Sequence, residues 1–151
     1  MTPGQNPSNH ADILSQSELI SALNELLEAE RAGARVTLET SQQLDTSEMQ
    51  ELVSEIQRDE VRWCKTLLSI IRTFQITPST ETGAFYEKAI AISDIPERML
   101  FINRGQGWVV KRLENLIPRV TDIHIRSKLQ AMLESHRLNI DRVNQQFQSS
   151  P

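Results

Sequence analysis

Four residues of this chain have the types and spacing to do chemistry together: Glu30, Glu60, Gln106 and His136. Each falls on the apolar stripe of its own predicted helix, where an ionisable group without a partner is strongly disfavoured. From Glu30 to Gln106 and from Glu60 to His136 the offset is the same 76 residues. Asp45 stands midway between the two glutamates and Thr121 midway between Gln106 and His136, both in predicted turns. If each pair belongs to an antiparallel hairpin, all four side chains converge at one level of a bundle core, where helical bundles build metal sites. Two carboxylates and one imidazole, with the amide of Gln106 or Asn139 as a weak oxygen ligand, form a donor set for one divalent ion: Fe(II), Mn(II) or Zn(II). Cys64 lies one turn from Glu60, and its thiolate would bias such a site toward zinc. Its commoner role is that of a small buried hydrophobe.

The elements that must position these groups follow from the hydrophobic period and the caps. Ser15 or Ser17 caps a first helix with Glu18 in its first turn, and its stripe runs Leu19, Leu23, Leu26, Leu27, Glu30, Ala34, Leu38. Glu28 faces outward with Asn24 and Arg35. Thr46 or Ser47 opens a second helix, where Ser47 and Gln50 fit a capping box. Its buried face includes Leu52, Val53, Ile56, Glu60, Trp63, Leu67 and Ile70. A connection of about twenty residues, Gln75 to Ile95, then carries a short helix near Gly83–Ile90. It is too long for a tight turn and suits a crossover that leaves the second and third long helices parallel. Asp94 and Pro96 start the third long helix, which stops before Pro118. Within it Gly105 and Gly107 flank Gln106, at a cost of roughly 1 kcal/mol each relative to alanine; they permit close approach or mark a bend. Asp122 caps a fourth helix with Leu129, Met132, Leu133, His136, Ile140 and Val143 on one face.

The expected architecture is therefore all-α: two antiparallel hairpins joined by a long crossover, a ferritin-like four-helix bundle. It spans residues 16–147, after a flexible leader (1–15) and before a frayed tail (148–151). A full di-metal site in such a bundle takes a Glu from each of two helices and Glu-x-x-His from the other two. This chain departs from that pattern. Trp63 stands at one histidine position, Gln106 replaces a carboxylate, and the fourth helix reads His136-x-x-Asn139. Too few carboxylates remain to bridge two ions.

Bulk properties narrow the class. The 151 residues suffice for one domain, aromatics are only 5%, and glycine is rare, which favours helices over a sandwich or barrel. Net charge is −4 and the basic residues are scattered, which argues against nucleic acid. Nothing approaches ~18 consecutive apolar residues, so no membrane span is expected. Met1–His10 lacks the pattern of a signal peptide, and a single cysteine makes no internal disulfide; the expected location is the cytoplasm.

Several segments carry a resemblance: Leu26–Ala34, Asp59–Cys64, Gly83–Lys88, Asn103–Val110, and the stretch from Met132 to His136 with Asn139-Ile140. They resemble those of a small uncharacterised bacterial family of the ferritin-like superfamily, across most of residues 18–145. The resemblance implies a bacterial, helical, cytoplasmic protein. The wider superfamily's iron storage, oxidase and hydroxylase work is implied only loosely, because the ligand pattern departs from it.

Two functional readings follow. In the first, the bundle binds one metal ion in a degenerate site at Glu30, Glu60 and His136, assisted by Gln106; iron there would open oxygen or peroxide chemistry. In the second, the chain is a non-enzymatic helical interaction module, expected as a homodimer, and its polar core is metal-free and structural. A third reading, a small-molecule binder, rests only on the Gly105/Gly107 gap.

Overall fold

The computed structural model describes residues 12–45 and 47–147. Five α-helices and one short 3-10 turn pack together, and no strand occurs among the described residues. They are α1 (Gln16–Gln43), α2 (Ser47–Thr73), α3 (Phe85–Ile90), α4 (Ile95–Leu116), the 3-10 turn Ile117–Arg119, and α5 (Ile123–Phe147).

Side-chain caps set three of the helix starts. Ser15 forms a capping box with Glu18: Ser15 Oγ accepts from the Glu18 amide at 3.2 Å, and Glu18 Oε1 accepts from the Ser15 amide at 2.9 Å. Asp94 Oδ2 accepts from the Glu97 amide, with Pro96 in the first turn of α4. Asp122 Oδ1 accepts from the amides of His124 and Ile125 at the head of α5. Ser47 opens α2, Thr46 lies outside the described residues, and Gln50, expected to pair with Ser47 in a capping box, donates to the Ser41 carbonyl. Proline, which cannot continue a helical ladder, follows the end of α4 inside the 3-10 turn.

Of the expected leader, only residues 12–15 are described. Residues 1–11 lie outside the described chain, as does the expected tail from Gln148. Residues 12–15 are tied to the 3-10 turn, because Leu14 donates to the Arg119 carbonyl and Arg119 Nε donates to the Asp12 carbonyl.

The apolar core divides into two clusters. One gathers Leu19 to Leu27 of α1, Trp63 to Ile71 of α2, Val109 to Leu116 of α4 and Ile125 to Leu133 of α5. The other gathers Val36, Leu52 to Ile56, Met99 with Ile102, and Val143 with Phe147. Along the sequence, α1 and α5 pass from the first cluster to the second, while α2 and α4 pass from the second to the first. Each hairpin is thus antiparallel, and α2 and α4 point the same way, as a long crossover requires. In contact terms α1 packs on α2, α4 on α5, α2 on α5 and α1 on α4.

One expected face is displaced. Leu38 is exposed, and Thr37, Thr40 and Ser41 are buried in its place. Successive steps of four residues rotate a helix face by about 40° each, so Ala34 and Leu38 drift off the stripe that Glu30 occupies. The buried hydroxyls return their hydrogens to the helix, Thr37 to the Gly33 carbonyl and Thr40 to that of Val36, both at 2.7 Å.

The crossover is held along the outward face of α1. Asn24 Oδ1 accepts from the Ser79 amide, Glu28 Oε2 accepts from the Ser79 hydroxyl, and Arg31 donates to the carbonyls of Ser79 and Glu81. Farther on, Tyr86 donates to Glu39 at 2.5 Å while Arg35 covers its ring. Glu28 and Arg35, expected on a solvated face, are the attachments of this strap. At its end Phe85 stacks on Phe101 with ring centres 5.1 Å apart and presses against Gly105. A Cβ at Gly105 would stand 2.7 Å from two carbons of that ring. Gly105→Ala should therefore destabilise the protein by about 1–3 kcal/mol, despite alanine's better helix propensity, and a urea unfolding curve measures it.

Candidate metal centre

The boundary between the two apolar clusters is polar. In every long helix the residue singled out from sequence falls between them: Glu30, Glu60, Gln106 and His136, each buried. Glu30, Glu60 and His136 each present a ligand atom, and these three atoms lie within 4.8 Å of one another.

His136 fixes the local chemistry. Its Nδ1 stands 2.9 Å from the Met132 carbonyl, one turn back on α5. A carbonyl only accepts, so Nδ1 carries the hydrogen, and in the neutral ring Nε2 is left with its lone pair. Nε2 faces both oxygens of Glu30, Oε1 at 2.9 Å and Oε2 at 3.1 Å, and lies 4.0 Å from Glu60 Oε2. Only Glu30 Oε2 meets it with hydrogen-bond geometry; Glu30 Oε1 and Glu60 Oε2 have no hydrogen-bond partner. Lone pairs converging in this way require something positive between them, a proton or a cation.

The electrostatics agree. Burial pushes the Glu30 carboxyl up to about 8. Glu60 is pushed well above the usual carboxylate range, first by burial and then by the charge of Glu30, with His136 pulling the other way. Ligands bound about 2.1 Å from an ion stand about 3.0–3.4 Å apart in octahedral or tetrahedral geometry. The spacings of 2.9 and 3.1 Å from His136 Nε2 to Glu30 lie close to that range, and Glu60 Oε2, at 4.0 Å, would have to move inward by about 0.6 Å or more to join them. A divalent cation would also neutralise both carboxylates in a place where uncompensated charge is costly.

Gly33 makes room for the cluster. Its missing side chain leaves space that the Glu60 carboxyl fills: a Cβ there would lie 3.0 Å from Glu60 Cδ and within 3.2 Å of both oxygens. If an ion binds this group, Gly33→Ala should weaken its binding about tenfold or more, as changes to ligand-orienting neighbours do, while α1 keeps its helicity. Comparing metal-induced shifts in melting temperature for the two proteins checks this.

The other candidates sort differently. Gln106 is 4% exposed and both its side-chain Nε2 and Oε1 are unpartnered. Asn139 is buried, and its Nδ2 donates to Asp59 at 3.0 Å, a bond that orients the amide without using its oxygen. Trp63 fills its position as core and donates its indole hydrogen to Ser135. Cys64 packs against the first apolar cluster, and its thiol is pushed up to about 12 by burial and by Glu30 and Glu60. In the metal-free protein it is a thiol, and it stands outside the group of three residues whose ligand atoms converge.

Some features were not read from sequence. Arg98 is buried, bonding Thr40, Gln43 and the Ile92 carbonyl. Asn103 bridges α4 to α5 through the Ile140 carbonyl and Asn144. A cavity of about 300 Å3 runs beneath the strap to Glu30, Glu60 and Gln106. The two mid-helix glycines were its only sequence signal, and just one of them, Gly105, lines it.

Residues 17–145 match the family described as Domain of unknown function (DUF6306). The chain belongs to that family. The DUF6306 match covers all four long helices apart from their outermost residues, and so takes in the whole polar layer. No curated protein and no solved structure matches the chain.

Proposed function

We propose that this protein is a ferritin-like four-helix bundle that binds one divalent metal ion through Glu30, Glu60 and His136, with Gln106 Oε1 as a weak fourth donor. One observation carries the reading. An imidazole whose Nδ1 is held as the donor and two carboxyl groups meet in the buried core, with Glu30 Oε1 and Glu60 Oε2 left without a hydrogen-bond partner. Buried polar atoms are rarely left so. Oxygen donors with one imidazole suit Fe(II), Mn(II) or Zn(II). Two carboxylates are too few to bridge a pair of ions, so the site is mononuclear and not a full di-iron centre.

The competing reading makes the layer structural, held by shared protons alone. Thermal unfolding with added Mn(II), Fe(II) or Zn(II) separates the two. A site occupied at a hundredfold excess over its Kd stabilises by about 2.7 kcal/mol. We expect such a rise in the wild type and none in Glu60→Ala. Unchanged melting with all three ions would support the structural reading.

A further inference from the structure

The Gln106 carboxamide poses a question that a metal ion answers only in part. Both of its polar atoms are buried and unpartnered. A cation can take up Oε1, but Nε2 is a donor with two hydrogens and no lone pair to give. With or without an ion, that N–H2 group still needs an acceptor. Leaving it unmet would cost roughly 1–3 kcal/mol.

The cavity is where an acceptor can come from. Gln106 lines it together with Glu30 and Glu60, and otherwise its inner walls are small or apolar, among them Ala29, Ile102, Gly105 and Val109. Gly83, Ala84 and Trp108 are the exposed members of its lining and mark its mouth under the strap. At about 300 Å3 it is roughly twice the size of an engineered cavity that admits benzene. Gly105 keeps the wall shallow, since a side chain there would collide with Phe85. Glu30 and Glu60 at the inner end, and Glu25 and Glu28 farther out, make the lining poor in positive charge.

We propose that this cavity binds a small, uncharged, mainly apolar molecule bearing a carbonyl or similar acceptor oxygen, which takes the free hydrogens of Gln106 Nε2 while its apolar body lies between α1, α4 and the strap. This goes beyond the metal reading and does not depend on it, because Nε2 cannot ligate a cation.

Acetophenone is a suitable probe, with ethylbenzene as its carbonyl-free counterpart and benzoate as an anionic one. Each is titrated into the full-length protein while the Gln106 side-chain amide signal is followed by NMR, the signal being assigned by its loss in Gln106→Leu. We expect saturable binding of acetophenone that moves this signal, with ethylbenzene roughly fivefold to tenfold weaker, the worth of one hydrogen bond. In Gln106→Leu the two should bind alike, and in Ala29→Leu, which narrows the cavity, both should bind at least tenfold more weakly. The variants' folding is checked by circular dichroism. No saturable shift in the folded wild type, equal affinity for acetophenone and ethylbenzene, or benzoate bound as tightly as acetophenone would each overturn the inference. A protein that takes up metal but not acetophenone would overturn it while leaving the metal reading intact.

Discussion

Replacing His136 with leucine alone should destabilise the metal-free protein by about 3 kcal/mol. That figure is the upper end for orphaning a buried polar group and the lower end for breaking a buried ion pair. The cause is what stays behind. Glu30 loses the imidazole that stands 2.9 and 3.1 Å from its oxygens, and Glu60 loses the group that offsets its burial. Replacing Glu30, Glu60 and His136 together with leucine should reverse most of the loss, since no ionisable group is then stranded in the layer between the two apolar clusters. Apolar replacement of buried ionic groups is often neutral or stabilising. Chemical denaturation of the single and triple variants measures both effects. A His136→Leu protein as stable as the wild type would mean that the two carboxyls do not depend on the imidazole.

The second large effect is a pair of opposed pH dependences. Burial raises Glu30 to about 8 and places Glu60 well above its ordinary range. A carboxyl raised on folding binds its proton more tightly in the native state than in the unfolded chain. Between the unfolded value near 4.5 and the folded value near 8, the native protein holds more protons. Stability of the metal-free protein must then fall as pH rises through that window, by at most about 1.4 kcal/mol per pH unit for each such group. Below the window the opposite trend takes over: Glu18 at its cap and Glu55 beside Arg142 are both lowered, and their contribution is lost as they protonate. Metal-free stability should thus peak in mild acid. Metal binding must displace the protons, so the stabilisation given by a fixed metal concentration should grow from pH 5 to 8. Denaturation across that range, with and without metal, tests both slopes. Parallel curves would contradict a shared role for these carboxyls.

The polar layer was legible because helical period alone placed four hydrophilic residues on buried stripes, and caps at Ser15, Asp94 and Asp122 fixed where those stripes begin. What sequence could not give were matters of third-dimensional neighbours. Asn139 reads as a candidate oxygen ligand at the right helical spacing, but that spacing does not reveal that Asp59, from another helix, accepts from its Nδ2. Gly33 looks like a mid-helix weakness, and only the packing of α2 across it reveals that the Glu60 carboxyl fills the space. Glu28 and Arg35 read as solvated because no periodicity foretells that a loop fifty residues later lies on them. Leu38 was misplaced because a face stepped by fours rotates away from the core.

Metal in the polar layer can be counted by elemental analysis of protein purified gently, without chelators or an affinity tag, beside a Glu60→Ala/His136→Ala variant shown to be folded. We expect about one equivalent of iron, manganese or zinc per chain in the wild type, the occupancy of a site kept well above its Kd, and loss of that metal in the variant. A folded wild type free of metal, or a variant retaining as much, would contradict the metal reading.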